Sequence, residues 1–248
     1  MTDIPYLTTD QMREVDRAMI EDYHIELIQM MENAGRNLAH LARTRFLEGD
    51  VRGRTVVVLA GSGGNGGGGL VCARRLHNWG AEVQVITTHP DDQYKGVPAL
   101  QLDILRRMGV PIATTDEYTA IEDQVPGNAS VDLIVDAVIG YSLSGAPRGT
   151  AAQMISWANA QGVPILSLDT PSGIDSTSGR VYSPAIRAAA TLTLALPKEG
   201  LRSPHTAEYT GELYLADISI PPALYAGPGL ELPVGPIFAR DEIIRLQT

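Results

Sequence analysis

The 248-residue chain holds a single cysteine, Cys72. An intrachain disulfide is therefore excluded, and so is any zinc site built on two cysteines. Lysine is nearly absent, with only Lys95 and Lys198. Aromatic residues make up 5% of the chain, too few for the stacking platforms that hold single-stranded nucleic acid. Positive charge is in deficit: 19 Lys and Arg face 29 Asp and Glu, for a net charge of −10. That balance argues against nucleic acid or an anionic membrane as the main partner. No apolar run approaches the ~18 residues of a membrane span. The opening Met1-Thr2-Asp3-Ile4-Pro5 has neither a basic nor an apolar signal region, so the expected compartment is the cytoplasm. The five histidines are scattered and form no zinc motif. Neither a repeat, a low-complexity tail nor a Pro/Gly/Ser linker divides the chain, so residues 1–248 read as one domain.

Apolar residues amount to 44% and charged residues to 19%, the composition of a globular fold. Thr8 with Gln11 makes a capping box for a first helix, whose Met12, Val15 and Met19 share one face. A second helix is expected over Leu27–Phe46, with Met30, Met31, Leu38 and Leu41 facing the core. Short β-branched runs then recur at residues 55–60, 82–87, 131–136, 164–169 and 190–195, and a weaker, more alternating candidate at 212–217 reads as lying nearer an edge. Helical stretches over roughly 67–79, 97–109 and 149–161 separate most of them. Alternation of this kind implies a mostly parallel sheet and an α/β fold, with the two N-terminal helices packed on it or on a partner.

Ligands of such sheets bind outside the carboxyl ends of the strands. Three segments there carry chemistry. Residues 61–69 hold seven glycines in nine positions and read as a loop that lets a ligand approach the backbone. They contain G-x-G-x-x-G, but the second strand ends in Thr87-Thr88-His89 and not in an acid, which disfavours an NAD-linked oxidoreductase. No Lys-Ser/Thr follows, so the loop is not a P-loop. Asp136 leads into a second glycine and hydroxyl loop running to Arg148, whose guanidinium is suited to a phosphate. Asp169 opens Thr170-Pro171-Ser172-Gly173. Two strand-end carboxylates beside two glycine loops describe a polar site. Lys198 follows another strand and either reaches this edge or lies in a solvated turn. Cys72 reads as a small buried hydrophobe within a helix.

These motifs, taken in order, resemble the YjeF N-terminal-domain family. The resemblance rests on Gln11–Arg17, Met31–Arg36, Gly63–Gly69, Asp136–Gly140, Asp169–Gly173, Leu196–Lys198 and Ala216–Pro221. It implies a three-layer α/β/α Rossmann-like domain, often a homodimer, with NAD(P)H-hydrate epimerase activity. The substrate would be hydrated NADH or NADPH, whose hydroxyl at C6 of the nicotinamide ring exists in R and S forms. A separate dehydratase would be its functional partner. The resemblance places a potassium ion on Asn65, Asp136 and Ser172. It places substrate along Gly64, Asn65, Gly66, Gly67 and Gly68, along Gly140, Tyr141, Ser142, Leu143, Ser144, Gly145 and Ala146, and against Asp169, the candidate catalytic acid/base. The sequence departs from the family pattern at Gly64, where Asn is usual, and at Gly68, where Asp is usual. The second departure removes a polar group from the substrate loop. It supports an alternative reading, a catalytically weakened nucleotide-binding or protein-interaction module of the same fold.

Overall fold

The computed structural model describes residues 4–115 and 130–246. Helix α1 (Thr9–Glu21) starts at the expected capping box: Gln11 N–H donates to Thr8 Oγ1 (3.2 Å) and Thr8 N–H to Gln11 Oε1 (2.9 Å). Helix α2 (Leu27–Leu41) runs into a π-helical turn over Ala42–Phe46, so the helical path ends where its periodicity predicts. The strands are β1 (Thr55–Ala60), β2 (Glu82–Thr87), β3 (Ile112–Thr114), β4 (Leu133–Ala137), β5 (Ile165–Leu168), β6 (Ala190–Leu194), β7 (Glu212–Ala216) and β8 (Ile243–Arg245). They form one sheet in the order β3-β2-β1-β4-β5-β6-β7-β8, parallel throughout except for the β7–β8 pair.

Side-chain alternation along β1 divides the core. Val56, Val58 and Ala60 face a layer that includes Leu38, Leu70, Ala73, Leu76, Leu102 and Leu105. These come from α2, α3 (Gly64–Asn78) and α4 (Gly96–Arg107). Val57 and Leu59 face the opposite layer, where Met154, Ile155 and Trp157 of α5 (Gly149–Ala160) pack. The three-layer expectation is met. Cys72 is fully buried in α3, and burial pushes its thiol well above the usual range. Helix α1 joins a third cluster with Leu7, Met30, Leu196, Ile218 and Tyr225, beyond the carboxyl ends of β6 and β7.

Two features depart from the sequence reading. Strands β3 and β8 are three residues each and only partly buried, so they carry none of the continuous apolar signal that marks five of the other six. The glycine run is a loop only as far as Gly63, and the helix expected from about residue 67 starts three residues earlier. Helix α3 begins at Gly64, and Gly66 through Gly69 are buried within its first turns. Absent side chains let this helix lie directly on its neighbours. A β-carbon on Gly66 would stand 1.7 Å from the Gly61 carbonyl oxygen, and one on Gly69 would stand 2.4 Å from Ala137 Cβ.

Candidate active site

Successive strands are added outward from β1 toward β3 on one side and from β4 toward β8 on the other, so the parallel neighbours β1 and β4 mark the switch point where open α/β sheets bind ligands. A cleft of about 540 Å³ opens there. Its floor comes from Gly61–Asn65 and Gly68 after β1, Thr88 and His89 after β2, Val138–Ser142 after β4, and Leu168 and Asp169 at the end of β5. Met12 and Asp16 of α1 and Met30, Met31 and Ala34 of α2 form the wall above. Met30 and Met31, read as core residues, thus also face the cleft.

Of the residues that the resemblance assigns to substrate, Gly64, Asn65, Gly68, Gly140, Tyr141, Ser142 and Asp169 line this cleft. Gly66 and Gly67 lie buried against Gly61 and Met31. Leu143, Ser144, Gly145 and Ala146 continue the loop without lining the cleft, and Arg148 is exposed at the start of α5.

Asp136 and Ser172 are brought together. Asp136 is opposite Ser167 in the β4–β5 register, so the two side chains share a face, and Ser167 Oγ donates to Asp136 Oδ2 at 2.8 Å. Ser172 donates twice, from Oγ to Oδ1 (2.6 Å) and from its N–H to Oδ2 (2.9 Å). The carboxylate is fully buried among neutral donors. Burial pushes its carboxyl up, while the bonds from Ser172, Ser167 and Val138 draw it down. Asn65 lies against Gly140, with its side-chain Cγ and Oδ1 each 3.1 Å from where a Gly140 β-carbon would be. Among the described residues its Nδ2 is buried without a hydrogen-bond partner.

Asp169 sits just past β5 with a left-handed backbone (φ +67°), a conformation that Asp tolerates better than most residues but at some cost. The turn aims its carboxylate back over the sheet edge. Lys198 Nζ donates to Asp169 Oδ1 and also to Leu194 O (2.8 Å) and Thr193 Oγ1 (3.4 Å). Lys198 is fully buried and Asp169 is 3% exposed. Of the two readings left open for Lys198, the structure supports the one that brings it to this edge. Tyr141 N–H donates to Asp169 Oδ2 (3.2 Å), and the Tyr141 hydroxyl donates to Asp16 Oδ2 (2.5 Å). Asp16 was not identified from the sequence, although a signal was there. It falls on the same helical face as Met12 and Met19, a carboxylate within an otherwise apolar stripe.

Gly64 and Gly68, the two departures from the family pattern, differ in the room around them. A β-carbon on Gly64 meets only Met31 Cε at 3.5 Å, whereas one on Gly68 meets Leu168 Cδ2 at 2.7 Å. Leu168 fills the space that an aspartate at 68 would use. Gly68→Asp is therefore expected to lower stability by about 1–2 kcal/mol through overpacking, and Gly64→Asn to have little effect. Urea unfolding of the two variants checks the difference. Equal stability would show that Leu168 moves aside without cost.

The model of a family described as YjeF-related protein N-terminus matches residues 27–200. A protein of Dehalogenimonas lykanthroporepellens named NAD(P)H-hydrate epimerase is 44% identical over 226 residues, covering 91% of this chain and 86% of that protein. A Moorella thermoacetica protein named bifunctional NAD(P)H-hydrate repair enzyme Nnr is 36% identical over 220 residues, 89% of this chain but 41% of its own length. The crystal structure of yeast ynu0 is similar with a TM-score of 0.81 at 28% identity, covering 98% of this chain and 100% of the yeast chain. The matched span runs from α2 through the turn that carries Lys198 and so takes in both sheet-edge carboxylates; the chain belongs to the YjeF-related N-terminal family.

Proposed function

We propose that this protein interconverts the R and S forms of hydrated NADH and NADPH. The observation that carries the reading is a cleft at the switch point of the sheet with the ion-paired Asp169 in its floor, in a chain whose relatives are named for this epimerisation. The reaction needs a proton delivered to the C6 hydroxyl as it leaves. The ring nitrogen lone pair forms a double bond to C6, and water then adds to either face. Met12, Met30 and Met31 of the wall and Leu168 of the floor give the ring an apolar seat and limit the access of bulk water. Asp169, fixed by Lys198 and by the Tyr141 N–H, is the group positioned to exchange a proton with the hydroxyl or with the entering water.

Asn65, Asp136 and Ser172 fit a potassium ion. Their donors are oxygens, as a hard cation prefers. Asp136 is a buried carboxylate that accepts from Ser167, Ser172 and Val138, all neutral donors, a situation that a cation would relieve. Asn65 would contribute its amide oxygen, which lies beside Gly140. When bound, the ion would supply positive charge opposite the substrate pyrophosphate. A separate dehydratase is the expected functional partner, consistent with relatives named as bifunctional repair enzymes, of whose length this chain spans about two fifths.

The activity is tested by proton NMR of an R/S mixture with a dehydratase that consumes only the S form. Added protein should speed the loss of R, and an unchanged rate would remove the epimerase reading. It would leave the weakened binding module, for which the missing acid at Gly68 is the supporting observation.

The ion is tested separately by thermal unfolding in KCl and in a salt of a bulky organic cation at equal ionic strength. At ten times its dissociation constant, a ligand of the folded state adds about 1.4 kcal/mol. The melting temperature should therefore be higher in KCl. Asp136→Asn should abolish most of the difference, whereas Asp169→Asn should retain it. A full potassium response in Asp136→Asn would move the ion elsewhere.

A further inference from the structure

Epimerisation at C6 has a geometric requirement. The hydroxyl leaves from one face of the ring and water enters from the other, so proton transfer has to occur on both sides of one carbon. A single rigid carboxylate in a floor serves one side. The cleft contains a second carboxylate, on a different element and in a different environment. Asp16 comes from α1 in the wall and Asp169 from the end of β5 in the floor. Tyr141 spans the two, with its backbone N–H on Asp169 and its hydroxyl on Asp16. The two carboxylates are thus held at opposite ends of one tyrosine.

The placement of α1 is fixed by the same turn that carries the floor. Leu7 N–H donates to Pro197 O (2.8 Å) and Glu199 N–H to Leu7 O (2.9 Å), so Leu7 and Lys198 pair as a parallel bridge. Thr9 N–H is held in addition by Thr177 Oγ1 (2.9 Å). The chain segment that delivers Lys198 to Asp169 therefore also sets where the helix bearing Asp16 begins.

We propose that Asp16, assisted by Tyr141, is the second proton-transfer group of this cleft and serves the ring face opposite to the one served by Asp169. The proposal rests on the epimerase reading. The two carboxylates have different partners. Lys198 pairs with Asp169 and not with Asp16. Burial and the Asp169 charge both push the Asp16 carboxyl up, only partly offset by the Tyr141 hydrogen bond and the Lys198 charge. The geometry divides the roles: the carboxylate that holds the ammonium takes the proton of the entering water, and the one that holds the Tyr141 hydroxyl delivers a proton to the leaving group.

In one turnover the protonated carboxyl of Asp16 gives its proton to the C6 hydroxyl oxygen. The C6–O bond breaks, the nitrogen lone pair forms N1=C6, and water leaves. Water then attacks C6 from the other face, the N1=C6 pair returns to nitrogen, and Asp169 takes the proton released by the incoming oxygen. One proton has moved from Asp16 to Asp169, and it returns through solvent or in a turnover of the opposite epimer.

The test separates epimerisation from exchange of the hydroxyl oxygen with water labelled with oxygen-18. Loss and return on the same face exchange the oxygen without inverting the centre. Wild type should label both epimers. Asp16→Asn should lose epimerisation by roughly 10²–10⁴-fold, the usual contribution of one acid–base group, yet still label one epimer above the uncatalysed rate. Tyr141→Phe should show a weaker defect in the same epimer. Asp169→Asn, made together with Lys198→Met to avoid a lone buried ammonium, should retain labelling of the other epimer only. The melting temperature of Asp16→Asn should match or exceed that of wild type, because a half-buried carboxylate that pays a desolvation cost has been removed and Asn keeps an acceptor for the Tyr141 hydroxyl, so lost activity is not lost folding. The proposal is overturned if Asp16→Asn epimerises within about threefold of wild type, or if it loses labelling of both epimers alike. A wild type that labels neither epimer overturns the epimerase reading and this proposal with it.

Discussion

Lys198→Met is expected to lower the stability of the protein by about 3–5 kcal/mol, the cost of leaving one member of a buried ion pair without its partner. Lys198 is fully buried, and its three ammonium protons are used on Asp169, Leu194 and Thr193. Methionine matches its length and fills the same channel, so packing is largely kept. What is lost is the charge that offsets Asp169, which is 3% exposed and held in a left-handed turn. Asp169→Asn alone should be costly for the converse reason, a stranded ammonium. The double variant Lys198→Met/Asp169→Asn removes both charges and should recover most of the loss, because apolar or neutral replacement of a whole buried pair is often close to neutral. A double-mutant cycle from urea unfolding measures this. Additive losses in the double variant would mean that the pair is not coupled as the structure places it.

Gly66→Ala is expected to destabilise by more than about 3 kcal/mol, the upper end for overpacking. In an ordinary helix the same change would gain up to about 1 kcal/mol, because alanine is the better helix former. Here the new methyl group would stand 1.7 Å from Gly61 O and 2.6 Å from Gly61 C. Both are backbone atoms in the turn that leaves β1, and Gly61 N–H is tied to Ala137 O across the sheet at 3.0 Å. The turn cannot withdraw without breaking that bond, and α3 cannot lift without opening its contacts with β1 and β4. Gly64→Ala is the control: one turn edge away, its β-carbon meets only Met31 Cε at 3.5 Å, and no loss is expected. Circular dichroism and thermal unfolding of the two variants distinguish them. Similar melting temperatures would refute the close approach of α3 to the β1 turn.

Much of the architecture was legible in the chain. Five of the eight described strands announce themselves as short, largely β-branched runs because they are covered on both faces, and burial of that kind leaves a continuous apolar signal, while β7 shows only a weaker, alternating one. Alternation with helices then dictates a parallel sheet, and the parallel sheet puts Asp136 and Asp169 at its carboxyl edge. Strands β3 and β8 escaped because three half-exposed residues leave no such signal. The glycine run marked the right place, but its helix starts at Gly64 and not near residue 67. Glycine permits a loop and a closely packed helix alike, and only the neighbours Gly61, Met31, Leu168 and Ala137 select the helix.

The sequence by itself determined the layers, the strand ends and two of the site's carboxylates, because these follow from periodicity and from the handedness of chain crossovers. The tertiary structure alone decided which groups face one another across the cleft. Lys198 meets Asp169 from 29 residues away, and Asp16 meets Tyr141 from 125 residues away. Such distances in the chain carry no periodic mark. They close because helix α1 packs its apolar stripe over the strand ends and Leu7 pairs beside Lys198, contacts that exist only once the sheet has formed.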